Sequence, residues 1–205
     1  MKKKRVGVYG GTFSPPHIAH VRVAKAFSDA LSLDKLLIIP AFLPPHKQVD
    51  KNISANTRLE MCRLAFSDIE NAEVSDIEIA RGGKSYTAIT LESLSSDDVE
   101  LFLLCGTDMF LTLDSWYSPK KIFELATICY VRREEDAEIS KQIEAKIADY
   151  DSEFSAKIVP IDTDVIEISS CMVREALSAG KDVSSYLPEK VFEYISCGGL
   201  YLDNE

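Results

Sequence analysis

The 205-residue chain has no apolar run of about 18 residues, which excludes a helical membrane span as a sequence expectation. Internal repeats, low-complexity tracts and long linkers are missing too. Cysteine occurs five times (Cys62, Cys105, Cys129, Cys171, Cys197), 24 to 43 residues apart, with no C-x-x-C pair. That odd, scattered set excludes a disulfide scaffold and a zinc ribbon, and most of these thiols read as buried hydrophobes. Positive charge is in deficit. A net charge of −10 argues against broad binding to nucleic acid, although a small phosphorylated ligand needs only a local positive cluster. Two common nucleotide signatures are absent as well. No G-x-G-x-x-G follows the first strand, and the second strand ends in Pro40 where a dehydrogenase presents an acidic ribose ligand. No Gly-Lys-Ser/Thr loop occurs. The basic start Met1-Lys2-Lys3-Lys4-Arg5 meets Gly10-Gly11 before any apolar signal core develops, so a cytoplasmic protein is expected.

What is present is an alternation of short apolar runs with helical patterns. Val6–Tyr9 reads as a strand and residues 17–31 as a helix. Leu36–Ile39 is a wholly apolar strand, and a helix follows with Asn56 or Thr57 as its cap and Leu59, Cys62, Leu64, Ala65 and Phe66 on its apolar face. Val74–Ile79 alternates like a third strand, Thr87–Leu94 is helical, Val99–Leu104 is an apolar strand and Pro119 opens another helix. Thr127–Val131 is a fifth strand, 136–149 an amphipathic helix, and Ile158–Ile161 and Val165–Ile168 are short strand candidates. Helices follow from Ser169 and from Pro188. This order predicts an α/β fold with a doubly wound, mostly parallel sheet. A single domain over 1–205 is expected, with 169–205 as its C-terminal helical segment.

The stretch Val6-Gly7-Val8-Tyr9-Gly10-Gly11-Thr12-Phe13-Ser14-Pro15-Pro16-His17-Ile18-Ala19-His20 carries the first chemistry. A strand runs into a glycine turn at a helix start, where backbone N–H groups favour a phosphate. His17 and His20, at i and i+3, occupy one face of the first helical turn. His-x-x-His also suits a metal, but no Cys, Asp or Glu stands at ligand spacing, and no protein-bound metal is expected.

Three further groups each admit two readings. Ser169-Ser170-x-x-x-Arg174 suits a second anion site or a plain helix cap beside a surface arginine. Trp116 and Tyr117 suit stacking on a planar ring or membership of the core. Lys47, Arg132 and Arg133 follow predicted strands, either facing phosphates or adding surface charge.

Taken in order, the motifs resemble the bacterial nicotinate-nucleotide adenylyltransferases of the HxGH nucleotidylyltransferase superfamily. They are Gly10-Gly11-Thr12-Phe13, the His17/His20 pair, Pro44-Pro45-His46-Lys47, Ser85-Tyr86-Thr87, Gly106-Thr107-Asp108 with Trp116, Arg132-Arg133, Ile168-Ser169-Ser170-x-x-x-Arg174 and the helix from Leu187-Pro188 to Tyr194-Ile195. The resemblance implies a Rossmann-like fold and AMP transfer from ATP to nicotinate mononucleotide, giving deamido-NAD and pyrophosphate with Mg²⁺ on the triphosphate. It implies catalytic roles for His17, His20 and Arg174. ATP contacts would come from Gly10, Gly11, Thr12, Phe13, His17, His20, Ser169, Ser170 and Arg174. Mononucleotide contacts would come from Lys47, Thr87, Asp108, Trp116, Tyr117 and Arg133. The implied partners are these small substrates, with no nucleic acid or membrane, and a homo-oligomer stays open.

Three positions depart from the family pattern. Ser14 stands where Asp or Asn is common, Ala19 replaces the Gly of HxGH, and Cys171 replaces a hydroxyl residue after Ser170. Two rival readings stand beside this one: the same chemistry on another acceptor, such as nicotinamide mononucleotide or phosphopantetheine, and a non-catalytic nucleotide sensor. The latter would not need both His20 and Arg174.

Overall fold

The computed structural model describes residues 2–45, 52–131, 137–164 and 167–202. The chain runs β1 (Lys4–Gly11), α1 (Ile18–Leu31), β2 (Lys35–Pro40), α2 (Ala55–Ala65), β3 (Ala72–Val74), α3 (Ile77–Arg81), α4 (Thr87–Leu94) and β4 (Val99–Gly106). It continues through α5 (Thr107–Phe110), a 3₁₀ turn (Leu113–Ser115), α6 (Pro119–Leu125), β5 (Ala126–Val131), α7 (Ala137–Phe154), β6 (Ile158–Ile161), α8 (Ser170–Ser178) and α9 (Glu189–Gly198). The strands form one sheet in the order β3-β2-β1-β4-β5-β6, which reverses after β3 as in a doubly wound fold. The β1–β4, β4–β5 and β5–β6 pairings are parallel, with Val6 opposite Leu101, Leu103 opposite Ile128 and Val131 opposite Ile161. Among the described residues no helix is long and apolar enough to cross a membrane.

Two compact units share the chain. The first comprises Met1–Tyr9, Val23–Leu37 and Tyr86–Ile166; the second comprises Gly10–Arg22, Ile38–Ser85 and Glu167–Glu205.

In the first unit, Leu101–Cys105 and all of β5 are buried, the continuous apolar pattern of strands covered on both faces. A Cβ on Gly7 would stand 2.4 Å from Leu33 and 2.8 Å from Phe27, so only glycine lets α1 lie this close to β1. Helix α7 runs to Phe154, past its predicted end at 149, because Tyr150 anchors the extra turn. The Tyr150 ring is buried against Phe123 and Phe110, and its hydroxyl donates to the Phe110 carbonyl at 2.8 Å.

Two local expectations in the second unit are corrected. The predicted strand Val74–Ile79 stops at Val74, and α3 takes up Ile77–Arg81. The Ser75 N–H donates to the Ile38 carbonyl, and then Ala80 N–H closes a helical turn onto Asp76. A short apolar run does not distinguish a strand from one helical turn by period. The cap of α2 is Ser54 rather than Asn56 or Thr57: its Oγ accepts from the Thr57 N–H at 3.0 Å. Of the candidate strand Val165–Ile168, residues 165–166 lie outside the described residues and 167–168 belong to no strand.

Candidate functional site

Gly10 and Gly11, expected in a turn, are instead the last two residues of β1, and the chain turns after them at Thr12–Phe13. Gly10 is exposed, and a Cβ there would meet nothing within 4 Å. At Gly11 a Cβ would lie 2.8 Å from the Phe13 ring, so glycine is required by the ring folding back beneath it. Phe13 holds φ at 50°, an uncommon state for a bulky residue and one that concentrates at functional sites. Its side chain is buried, edge-on to His20 at 5.1 Å and to Phe66 at 5.8 Å. The ring is therefore a core anchor, and Phe13 can meet a ligand only through its backbone.

The two histidine rings lie close together, their centroids 3.7 Å apart and their planes tilted by 32°. His17 is 2% exposed whereas His20 is half-buried, so the pair is not symmetric toward solvent. The His17 backbone N–H donates to His20 Nδ1 at 3.2 Å, and the His17 carbonyl accepts from the His20 N–H at 2.9 Å.

Helix α8 grips the next residues of the same turn. Ser169 caps it, its Oγ accepting from the Met172 N–H at 3.2 Å. Ser170 Oγ donates to the Pro15 carbonyl at 2.9 Å, and Arg174 Nη1 donates to the Ser14 carbonyl at 2.7 Å across a cis Ser14–Pro15 peptide. An arginine has five N–H donors in its fork, and a single one is committed to Ser14. The Ser14 and Tyr201 hydroxyls pair at 3.0 Å in a buried position. Cys171, at the departure from the hydroxyl pattern, is exposed and reaches Glu175 Oε1 at 3.2 Å along its own helix. This carboxylate neighbour raises the thiol pKa.

The remaining expected contacts form a separate group in the first unit. Thr87 opens α4, and Asp108 lies exposed on α5 directly after β4. The preceding Thr107 hydroxyl donates to the Val131 carbonyl at 2.7 Å, fixing the end of β4 against the end of β5. Trp116 is half-buried behind the 3₁₀ turn, whereas Tyr117 is 54% exposed with its ring 4.5 Å from that of Tyr86. The exposure of Tyr117 excludes core packing for that residue. Lys47 and Arg133, with His46 and Arg132, lie outside the described residues.

Sequence reasoning missed Arg58 and Tyr201, which hold the turn, and marked Ser14 only as a departure from the family pattern. The available signal lay in α2, where Arg58 sits at helical spacing with Cys62 and Ala65, a cation inside an apolar stripe. Arg58 is 1% exposed and donates to the Thr12 carbonyl at 2.8 Å and to the Phe42 carbonyl at 3.2 Å. Burial lowers its pKa from the ordinary arginine value. Among the described residues no group of three or more His, Cys, Asp or Glu side chains is placed to hold a metal.

Residues 8–176 match the cytidylyltransferase-like family. A probable nicotinate-nucleotide adenylyltransferase of Desulfatibacillum aliphaticivorans is 35% identical, covering 97% of this chain and 100% of that protein. A second, from Citrifermentans bemidjiense, is 36% identical over 97% of this chain and 99% of its own length. Among solved structures, the Plasmodium falciparum nicotinic acid mononucleotide adenylyltransferase complexed with NaAD superposes with a TM-score of 0.76, covering 97% of each chain at 18% identity. That last likeness bears on the fold alone.

Proposed function

The chain belongs to the nicotinate-nucleotide adenylyltransferases of the cytidylyltransferase-like family, and we propose on that footing that it transfers AMP from ATP to nicotinate mononucleotide. The products are deamido-NAD and pyrophosphate, and the step belongs to NAD biosynthesis. The observation that carries the residue assignment is the gathering, at the end of β1 and the turn after it, of an open Gly10 backbone, the close His17/His20 pair and Arg174.

In this reading the mononucleotide 5′-phosphate attacks the ATP α-phosphorus in line, and pyrophosphate leaves without a covalent enzyme intermediate. The attacking oxygen is already anionic, so no side chain serves as a general base. Catalysis is positioning plus neutralisation of the charge that spreads over the phosphates. The backbone of Gly10, Gly11, Thr12 and Phe13 lies along the nucleotide, with His17 and His20 at the α- and β-phosphates. The Ser169 hydroxyl, the Ser170 backbone N–H and the fork of Arg174 receive the outgoing pyrophosphate, the Ser170 hydroxyl proton being held by the Pro15 carbonyl. Thr87, Asp108, Trp116 and Tyr117, with Lys47 and Arg133, bind the mononucleotide, and the half-buried Trp116 ring stacks on the pyridine. ATP would arrive with Mg²⁺ on its own phosphates, and the ion would supply neutralisation of the triphosphate charge, as suits a cation that prefers phosphate and water oxygens.

The same proposal takes 1–205 as one nucleotidylyltransferase domain, with 169–205 as its C-terminal helical segment. It takes the enzyme as cytoplasmic, and sedimentation would report whether it self-associates.

Pyrophosphate release from Mg²⁺-ATP tests the reaction, with nicotinate and nicotinamide mononucleotides in parallel. Release with strong preference for the acid supports the assignment. Comparable rates make the enzyme dual in its acceptor. Silence in both, with ATP still bound, turns the reading toward a nucleotide sensor.

A further inference from the structure

We propose that Arg58 is a positioning residue for the nucleotide turn: from beneath the surface it fixes the Thr12–Phe13 peptide plane and ties the turn after β1 to the loop after β2. The inference rests on the adenylyl-transfer reading for its assay but not for its geometry.

Arg58 is the largest fully buried side chain described, and it is a cation. Among the described residues no carboxylate pairs with it. Its guanidinium donates to two main-chain carbonyls, Thr12 at 2.8 Å and Phe42 at 3.2 Å, and its Nε is buried with no partner among the described residues. A cation buried at this depth without a counter-ion is costly and would be replaced easily by an apolar residue of similar volume if stability were its whole purpose. Its neighbours on the same face, Met61, Cys62 and Ala65, are apolar and buried, so α2 would pack without it.

What Arg58 adds is geometry. The Thr12 carbonyl belongs to the peptide that precedes Phe13, whose φ of 50° a bulky side chain rarely adopts. Holding that oxygen holds the peptide plane, and with it the turn of Gly11 over the Phe13 ring. The second arm of the fork reaches Phe42, whose N–H donates to Ser85 Oγ at 2.9 Å. Ser85 in turn donates its N–H to the Leu43 carbonyl at 2.9 Å, and Ala41 N–H bonds the Gly11 carbonyl at 2.9 Å. One guanidinium thus closes a chain of bonds from Thr12 through Phe42 to Ser85. A planar fork can span two carbonyls in fixed directions, which an ammonium on a flexible stem does not reproduce.

The test compares Arg58→Lys and Arg58→Gln with the unaltered protein, each checked for native circular dichroism. The measurements are kcat, both KM values and ATP affinity by calorimetry. We expect Arg58→Lys to lose about 10-fold and Arg58→Gln about 10²-fold in kcat, as for a small misplacement of binding groups, with the KM for ATP and its Kd raised several-fold. A folded Arg58→Lys or Arg58→Gln variant with unchanged kcat and ATP affinity overturns the proposal. If both variants unfold, Arg58 serves stability alone and the proposal also falls. If the unaltered protein releases no pyrophosphate, the adenylyl-transfer reading fails by itself. ATP affinity then decides the role of Arg58, weaker binding in the folded variants supporting it and equal binding overturning it.

Discussion

The backbone N–H of His17 donates to Nδ1 of His20 across 3.2 Å, and that bond decides which nitrogen of His20 is a donor. Nδ1 accepts, so the neutral ring carries its proton on Nε2. The arrangement is half of a capping box, with a side chain at the third helical position reaching back to the residue before Ile18, where glutamate or glutamine usually serves. His20 therefore orders the start of α1 with one nitrogen and has an N–H donor in the other. His20→Ala should lower kcat by about 10²-fold with the fold retained, as for a lost electrostatic donor. His20→Gln, whose amide can place an N–H near the Nε2 position, should keep more activity than His20→Ala. A folded His20→Ala enzyme with near-normal turnover would assign His20 to the cap alone.

Trp116 is half-buried and Tyr117 exposed. Trp116→Ala should raise the KM for the mononucleotide by about 5- to 150-fold, in line with a lost base-stacking contact of about 1–3 kcal/mol, and leave the KM for ATP nearly unchanged. Steady-state kinetics with each substrate varied would show it. Equal rises in both KM values would place Trp116 in the core.

Ser14 and Tyr201 share a buried hydroxyl pair. Ser14→Ala and Tyr201→Phe should each cost about 1 kcal/mol, lowering Tm by about 2–4 °C. The double variant should cost less than the sum of the two, because the second change acts on a bond that the first has already removed. Additive losses by calorimetry would show that the two hydroxyls act separately.

Burial pushes the Cys105 and Cys129 thiols up to about 12 and raises Cys62 well above its ordinary value. Iodoacetamide at pH 8 should therefore label only the exposed Cys171 and Cys197 in the folded protein, and all five thiols after denaturation. Glu175→Gln removes the carboxylate that raises the Cys171 pKa and should speed its labelling. Peptide mass spectrometry would read both rates.

Asp114 is pulled in two directions. Partial burial raises its pKa, but the Lys146 ammonium at 2.6 Å outweighs that and leaves it below the ordinary carboxylate value. A depressed folded-state pKa means stability that is present above the unfolded value of 3.8 and is lost as pH falls through the folded one. The pair is partly solvated, so its worth is at most about 1 kcal/mol. Lys146→Met should narrow the Tm difference between pH 6 and pH 3 by about 2 °C, measured by thermal melts. An unchanged difference would remove the pair from the acid response.

The sequence alone determined the alternation of strands and helices, because fully buried parallel strands such as Leu36–Ile39 and Thr127–Val131 leave unbroken apolar runs. It also marked Gly10-Gly11, His17/His20 and Ser169-Ser170-x-x-x-Arg174, since chemistry-bearing residues in local spacing are visible without folding. Local ambiguity defeated it at Ile77–Arg81, where one helical turn and a short strand have the same apolar content, and at Ser54, where the cap lay outside the periodic stretch. Only the tertiary structure decided what holds the turn from Thr12 to Pro15. Arg58, Arg174 and Tyr201 lie 46, 160 and 187 residues from Thr12, Ser14 and Ser14 respectively, and they meet them through carbonyls and a hydroxyl. Main-chain acceptors are the same at every position, so no residue pattern could announce which carbonyl a buried guanidinium would find.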